Sequence, residues 1–265
     1  MTSVAIELSI PVVMGMVRTF WWPFLRISSF LMAAPIIGTK DLPRRLRLLF
    51  ALIMTGVLAP TLSLDPALSS LEPLSTTGLM VVAQQIAVGL SMGLVLRMVF
   101  VVFEFAGQIV AQQMGLGFAS MVDPSSGVQV PVVGQFYNVL ATLIFFGTNL
   151  HLKMVQLLSD SFQLLPVGRS IDRNMLSGVV QWSGELLSLA VVMMLPVIIG
   201  LLAVNLIFAV MTRAAPQLNV FAIGFPVTLL FGVVIMLLSV PSFSQEVGEA
   251  MEAGFTTAYA ILGQH

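Results

Sequence analysis

Apolar residues run along the chain in blocks whose lengths approach the ~20 residues that a helix needs to cross a bilayer. Six such blocks are read as spans, at roughly 10–38, 46–62, 78–103, 131–152, 186–212 and 221–240. They are unequal. The first carries Arg18, Pro23 and Arg26, and the second is short and stops at Pro60. The third holds Gln84, Gln85 and Arg97, while Pro196 and Pro226 interrupt the fifth and sixth. Between the third and fourth lies 104–130, apolar but rich in glycine and side-chain amides, which fits neither a plain loop nor a plain span.

The loops between the blocks predict an orientation. Lys40, Arg44, Arg45 and Arg47 stand against the single acid Asp41 in 40–47, which places this loop on the cytoplasmic side. The loop 63–77 has Asp65 and Glu72 and no base, Arg213 marks a second cytoplasmic loop, and the tail after 241 has three glutamates and no Lys or Arg. Six spans with both termini outside the cytoplasm satisfy all four. Glu7 precedes the first basic residue and Arg18 interrupts the apolar run, so the N-terminus is read as retained rather than as a cleaved signal.

Composition gives the same class. The chain of 265 residues is 58% apolar and only 9% charged, where a soluble domain has about 25% charged residues. Lipid or apolar partners must therefore cover much of it. A net charge of -1 and the lack of a basic patch argue against nucleic-acid binding. With no cysteine and two histidines, disulfides, thiolate chemistry and His-based metal clusters are not expected, nor is any cofactor.

Charge inside apolar segments then carries the information. A charged side chain at the bilayer centre costs about 2.5–3.5 kcal/mol on insertion scales, so Arg18, Arg26, Arg97 and Glu104 must face protein or water, or snorkel. Arg97 and Glu104 lie seven apart, on one helix face but too far apart to pair, so their partners are expected elsewhere, on other chains. Pro23, Pro196 and Pro226 each remove a backbone donor and predict kinks. Gly89-Leu-Ser91-Met-Gly93 has the spacing of a nucleophile elbow around Ser91. It lies within a helical apolar run with no base beside it, so it reads as a small-residue packing face, and an enzyme is not expected.

Several stretches resemble the FliR family of flagellar export-gate proteins. They are FLRISSFLMAAPIIG followed by LPRRLRLLFALIM, then QQMGLGFASMVDPSSG, LPVG at 165–168 and RAAPQLNVFAIGFPVTLLFG at 213–232. The stretches at 112–127 and 213–232 are the most specific. The family includes a subunit of virulence-type injectisomes, and IGFPVT at 223–228 without a following lysine looks more like the flagellar branch. Two rival classes remain: a secondary transporter, whose marker of inverted repeats is not found, and a serine intramembrane protease, which would need Ser91 and His151 to act together.

The resemblance implies one all-α domain over 1–265, membrane-inserted, with kinked helices and hairpins packed into a helical assembly. It implies FliP-like and FliQ-like partners, an FlhB-like protein on the cytoplasmic side, and passage of unfolded flagellar subunits. The place implied is the inner membrane at the flagellar basal body, with the gate raised towards the periplasm. The glycine-rich stretch Met114, Gly115, Leu116, Gly117, Phe118, Ala119, Ser120 and Met121 resembles a plug in the closed channel. Arg18, Arg26, Arg97, Glu104 and Arg213 then become charges expected to face other gate subunits.

Overall fold

Ser75 and Gly115 show how local chemistry sets the ends of a long helix. The Ser75 hydroxyl accepts the backbone N–H of Gly78 at 3.0 Å, an N-cap that starts a helix running Thr76–Gln113. At its far end Gly115 takes a φ of +80°, Gly115 N–H donates to Gln112 O at 3.0 Å and Leu116 N–H to Ala111 O at 3.1 Å. That pair of bonds closes the last carbonyls of the helix in a Schellman turn, for which glycine is suited by its lack of a Cβ.

A computed structural model of the chain describes residues 10–40, 42–62, 71–116, 132–170, 173–214 and 220–263, with the backbone alone for 10–19, 173–174 and 220–223. Seven α-helices and no strand occur among them. They are α1 (Ile10–Ala33), α2 (Arg44–Leu58), α3 (Thr76–Gln113), α4 (Val132–Gly147), α5 (Leu150–Leu164), α6 (Arg173–Ala214) and α7 (Val220–Ile261). Pro43 stands at the N-cap of α2, and a single 3-10 turn, Ala59–Thr61, follows its end at Pro60. Asn149, at φ +58°, takes the left-handed conformation that interrupts the helix between α4 and α5. The protein is all-α, as the apolar blocks predict.

Among the described residues three helices are long and apolar enough to cross a membrane: α3, α6 from Met175, and α7 from Gly224. Their bounds depart from the expected spans in one direction. Helix α3 continues through 104–113, and α7 continues through the glutamate-bearing tail to Ile261. Alanine, glutamine and glutamate are good helix formers, so the helix persists where hydropathy falls. The expected spans in the second and fourth blocks become α2 of 15 residues and α4 of 16, shorter than a crossing requires. Pro23, Pro196, Pro226 and Pro241 all lie inside helices that continue past them.

The chain forms two compact units, neither of them contiguous in sequence. One unit takes in residues up to Arg97, His151–Trp182 and Gly254–His265, and so holds α1, α2, the first part of α3, α5, the start of α6 and the end of α7. Here α2 packs on α1. Helix α1 lies directly against α3, because Gly89 and Gly93 offer no side chain. A Cβ at Gly93 would stand 2.7 Å from Ala33 Cβ and from Phe30 O, and one at Gly89 would meet Ser29 Oγ and Arg26 O. The far ends are tied in by Trp182, whose Nε1 donates to Val95 O at 3.1 Å, and by the Tyr259 hydroxyl on Asp160 Oδ2 at 2.8 Å.

The other unit, Met98–Leu150 with Ser183–Ala253, has an aromatic core. Phe243 of α7 stacks edge-on to Phe103 at 5.4 Å and tilted on Tyr137 at 4.7 Å, while Phe100 meets Phe145 at 5.6 Å. Helices α3 and α4 cross at a pair of glycines, where a Cβ on Gly107 would lie 2.7 Å from Gly134 Cα.

The α1–α3 contact yields a paired expectation. Gly93→Leu drives a side chain into the backbone of α1, with an overpacking cost of about 1–3 kcal/mol, and should lower both the cellular level and the melting temperature in detergent. Gly56→Leu, at a site where a Cβ meets nothing within 4 Å, should leave both unchanged. Equal tolerance of the two substitutions would show that the close crossing is not required.

Candidate functional site

The most constrained polar group in the first unit is the guanidinium of Arg26. Helix α1 buries Trp22, Ile27, Phe30 and Leu31, and Arg26 lies on that same buried face, with no exposed surface. Its Nε donates to Gln85 Oε1 of α3 at 2.7 Å. Its Nη1 donates to Ser161 O at 2.7 Å and lies 3.4 Å from the Ser161 hydroxyl, while Nη2 donates to Leu165 O at 2.8 Å. The Phe162 ring completes the cage, its centroid 4.3 Å from the guanidinium carbon.

All of these oxygens are neutral, so the charge is held without a carboxylate. What offsets its burial is the end of α5. That helix stops at Leu164; the Leu165 carbonyl lies just past its end, and the Ser161 carbonyl, which also accepts the Leu165 N–H at 3.0 Å, has a second lone pair to offer. The C-terminal end of a helix carries about half a negative charge, and a planar fork of N–H donors can satisfy several carbonyls at once. Arg26 is therefore a C-cap for α5, contributed by α1. Gln85 orients the fork from α3, using its carbonyl oxygen and leaving its amide nitrogen without a partner among the described residues. Gly89, one turn beyond Gln85, permits the approach that brings α1 this close.

Of the charges expected to face other subunits, Arg26 has its nitrogens taken up within its own chain, by α3 and by the end of α5. The sequence pattern flagged Arg26 and Gln85 separately and missed Ser161, Phe162 and Leu165. The available signal was LPVG at 165–168, which follows the end of α5 directly, with Gly168 at φ +89°.

The remaining charges are placed differently. Arg97 is half-buried on α3, and Arg213 is exposed in the last turn of α6. Glu104 is half-buried, with its backbone carbonyl against Gly134, so that a Cβ there would lie 2.7 Å from the oxygen. None of the three is among the partners of Arg26. The side chain of Arg18 lies outside the described residues. Of the glycine-rich stretch, Met114 is buried, with 1% of its surface exposed, Gly115 forms the helix stop, and Leu116 is half-buried. Gly117, Phe118, Ala119, Ser120 and Met121 lie outside the described residues. Ser91 sits in mid-helix with its hydroxyl donating to Ala87 O at 2.8 Å, and Gly89 and Gly93 on either side form the packing face.

All the described elements are helical, and three of the helices are long and apolar enough to cross a membrane, which defines an all-α integral membrane protein. Residues 17–254 match the family described as bacterial export proteins, family 1. The chain is 36% identical over 224 residues to the flagellar biosynthetic protein FliR of Escherichia coli (strain K12), covering 84% of each chain. It is 34% identical over 226 residues to that of Pectobacterium carotovorum subsp. carotovorum, covering 85% of each, and 27% identical over 219 residues to that of Bacillus subtilis (strain 168), covering 81% of this chain and 83% of the relative. The chain belongs to the FliR family of bacterial export proteins and is a membrane component of the flagellar export apparatus.

Replacing Arg26 by Met keeps bulk and removes every donor. Each buried acceptor left without a partner costs about 1–3 kcal/mol, so the variant should be strongly destabilised. Arg26→Met with Gln85→Leu should recover part of the loss, since removing both partners of a buried polar pair is far less costly than removing one. Thermal unfolding of the purified proteins in detergent reads both. A single variant as stable as the parent would contradict the capping role.

Proposed function

We propose that this chain is the FliR-type subunit of the flagellar export gate, joined to FliP-like and FliQ-like subunits in a closed channel for unfolded flagellar subunits. An FlhB-like protein sits on its cytoplasmic side. The stretch Met114–Met121 acts as the plug of the resting channel, and the assembled gate stands raised towards the periplasm. The relatives described above carry the flagellar name, which favours this branch over an injectisome.

The observation that carries the proposal is the mismatch between helix length and membrane thickness. At 1.5 Å per residue, α6 and α7, with 42 residues each, are about 63 Å long, roughly twice the ~30 Å of a hydrocarbon core. Only 28% of the most apolar window of α6 and 22% of that of α7 is buried within the chain, against 61% for α3. Lipid can cover about half of such a helix. The remainder has to be covered by protein, and an exposed apolar surface of this size marks an interaction site. Exposed Glu185 on α6, and Gln245 and Glu249 on α7, lie beyond these apolar windows, where the helices continue with polar groups that suit contact with neighbouring subunits better than contact with acyl chains.

Purification of the tagged chain in mild detergent should bring down FliP-like and FliQ-like chains, whereas recovery as a lone, stable protein would overturn the proposal. With assembly confirmed in this way, Phe118→Ala should raise passive permeability to small solutes in cells expressing the gate without substrate. Truncating a fully buried Phe costs about 3–5 kcal/mol of packing. Unchanged permeability would place the seal elsewhere.

A further inference from the structure

The two sequence stretches that carry the family resemblance most specifically, 112–127 and 213–232, meet in the second unit. Met114 follows directly on the last residue of α3, and Gly232 is the last residue of the other stretch, in mid-α7. Gly232 is buried, and a Cβ built on it would lie 2.6 Å from both Cγ and Cε of Met114 and 2.9 Å from Sδ. The thioether therefore occupies the space that a side chain at 232 would need. Two longer polar contacts flank it: Asn205 Nδ2 of α6 lies 3.4 Å from Gln113 O, and the Thr228 hydroxyl, one turn before Gly232, lies 3.5 Å from Met114 O. Thr228 donates more closely to Phe225 O, at 3.0 Å, so the side-chain fit, and not the hydrogen bonding, defines the socket.

We infer that Gly232 is a positioning residue: its missing side chain is the socket that seats Met114 and so fixes where α3 ends and in which direction the following chain departs. The Schellman turn at Gly115 sets the local geometry of that departure, and the socket ties it to α7. Methionine suits the task, because its unbranched chain fills an irregular hollow, yet with 1% of its surface exposed it has no free space to retreat into. The consequence for export rests on the reading of 114–121 as the plug, since the socket holds the root of that stretch.

The contact and the plug can be tested separately. The chain has no cysteine, so Leu116→Cys supplies a single reporter thiol immediately beyond the helix stop. In the assembled gate, Gly232→Leu should displace Met114 and raise the rate of maleimide labelling at position 116. Met114→Ala should do the same by emptying the socket, and Gly232→Ala should act in the same direction but less. Gly232→Leu combined with Met114→Ala, which refills the hollow from the other side, should bring labelling back towards the parent rate. Labelling unchanged in Gly232→Leu and Met114→Ala, or a double variant no better than either single one, would overturn the inference. Passive permeability of the same cells is the separate readout. Labelling that responds without any leak would leave the socket standing and remove the plug reading, while a leak in Phe118→Ala with labelling indifferent to position 232 would do the reverse.

Discussion

A buried arginine with no counter-ion among the described residues constrains how the first unit is put together. Arg26 cannot be left in an apolar interior unless its donors are satisfied, and they are satisfied by Gln85 on α3 and by the carbonyls of Ser161 and Leu165 at the end of α5. The partners come from two separate stretches of chain, so the guanidinium of α1 holds α3 and the end of α5 in one register. Other features of the unit follow from it. Gly89 must be small for α1 to reach α3, α5 must stop where its carbonyls face the fork, and Phe162 must lie over the charge at 4.3 Å. An ammonium in place of the guanidinium would present one point of charge to acceptors spread over a plane, so lysine is not an equivalent residue here.

The second constraint is length. Helices of 38 and 42 residues exceed what a bilayer can cover, and their most apolar faces are largely open in α6 and α7. A protein whose buried arginine is held within the chain while its long helices remain uncovered is built as one piece of a larger object. The two constraints act at different levels: Arg26 determines how the chain packs on itself, and the open helices determine that it packs on something else. The pairing of Met114 with Gly232 belongs to the first level, and lies at the start of the segment we propose as the plug.

Much of this was legible in the sequence. Long apolar blocks give helices, and the few charges within them locate the tightly packed places, as Arg26 does. The spacing of Gly89 and Gly93 gives the α1–α3 face. What sequence pattern could not give was partnership. Arg26 looked like a charge awaiting another subunit, because its acceptors are backbone carbonyls, which every residue carries and no residue type advertises. Helix ends were misread for a related reason. A hydropathy block ends where polarity rises, whereas α3 and α7 continue through glutamine, alanine and glutamate, residues that leave lipid without leaving the helix. The glycine at positive φ that ends α3 is Gly115, and the composition of the stretch alone does not distinguish it from Gly117 two residues on.

The claim on which the account turns is that the open faces of α6 and α7 are covered by other subunits and not by lipid alone. Leu206 and Leu238, with 67% and 76% of their surface exposed, lie on those faces. The direct measurement is to place a photoreactive amino acid at each position in turn, irradiate cells expressing the complete export apparatus, and identify the adducts by mass spectrometry. The account predicts cross-links to FliP-like or FliQ-like chains at both positions, lost when the partner genes are removed. Adducts to phospholipid alone at both positions, in cells with the full apparatus present, would contradict it.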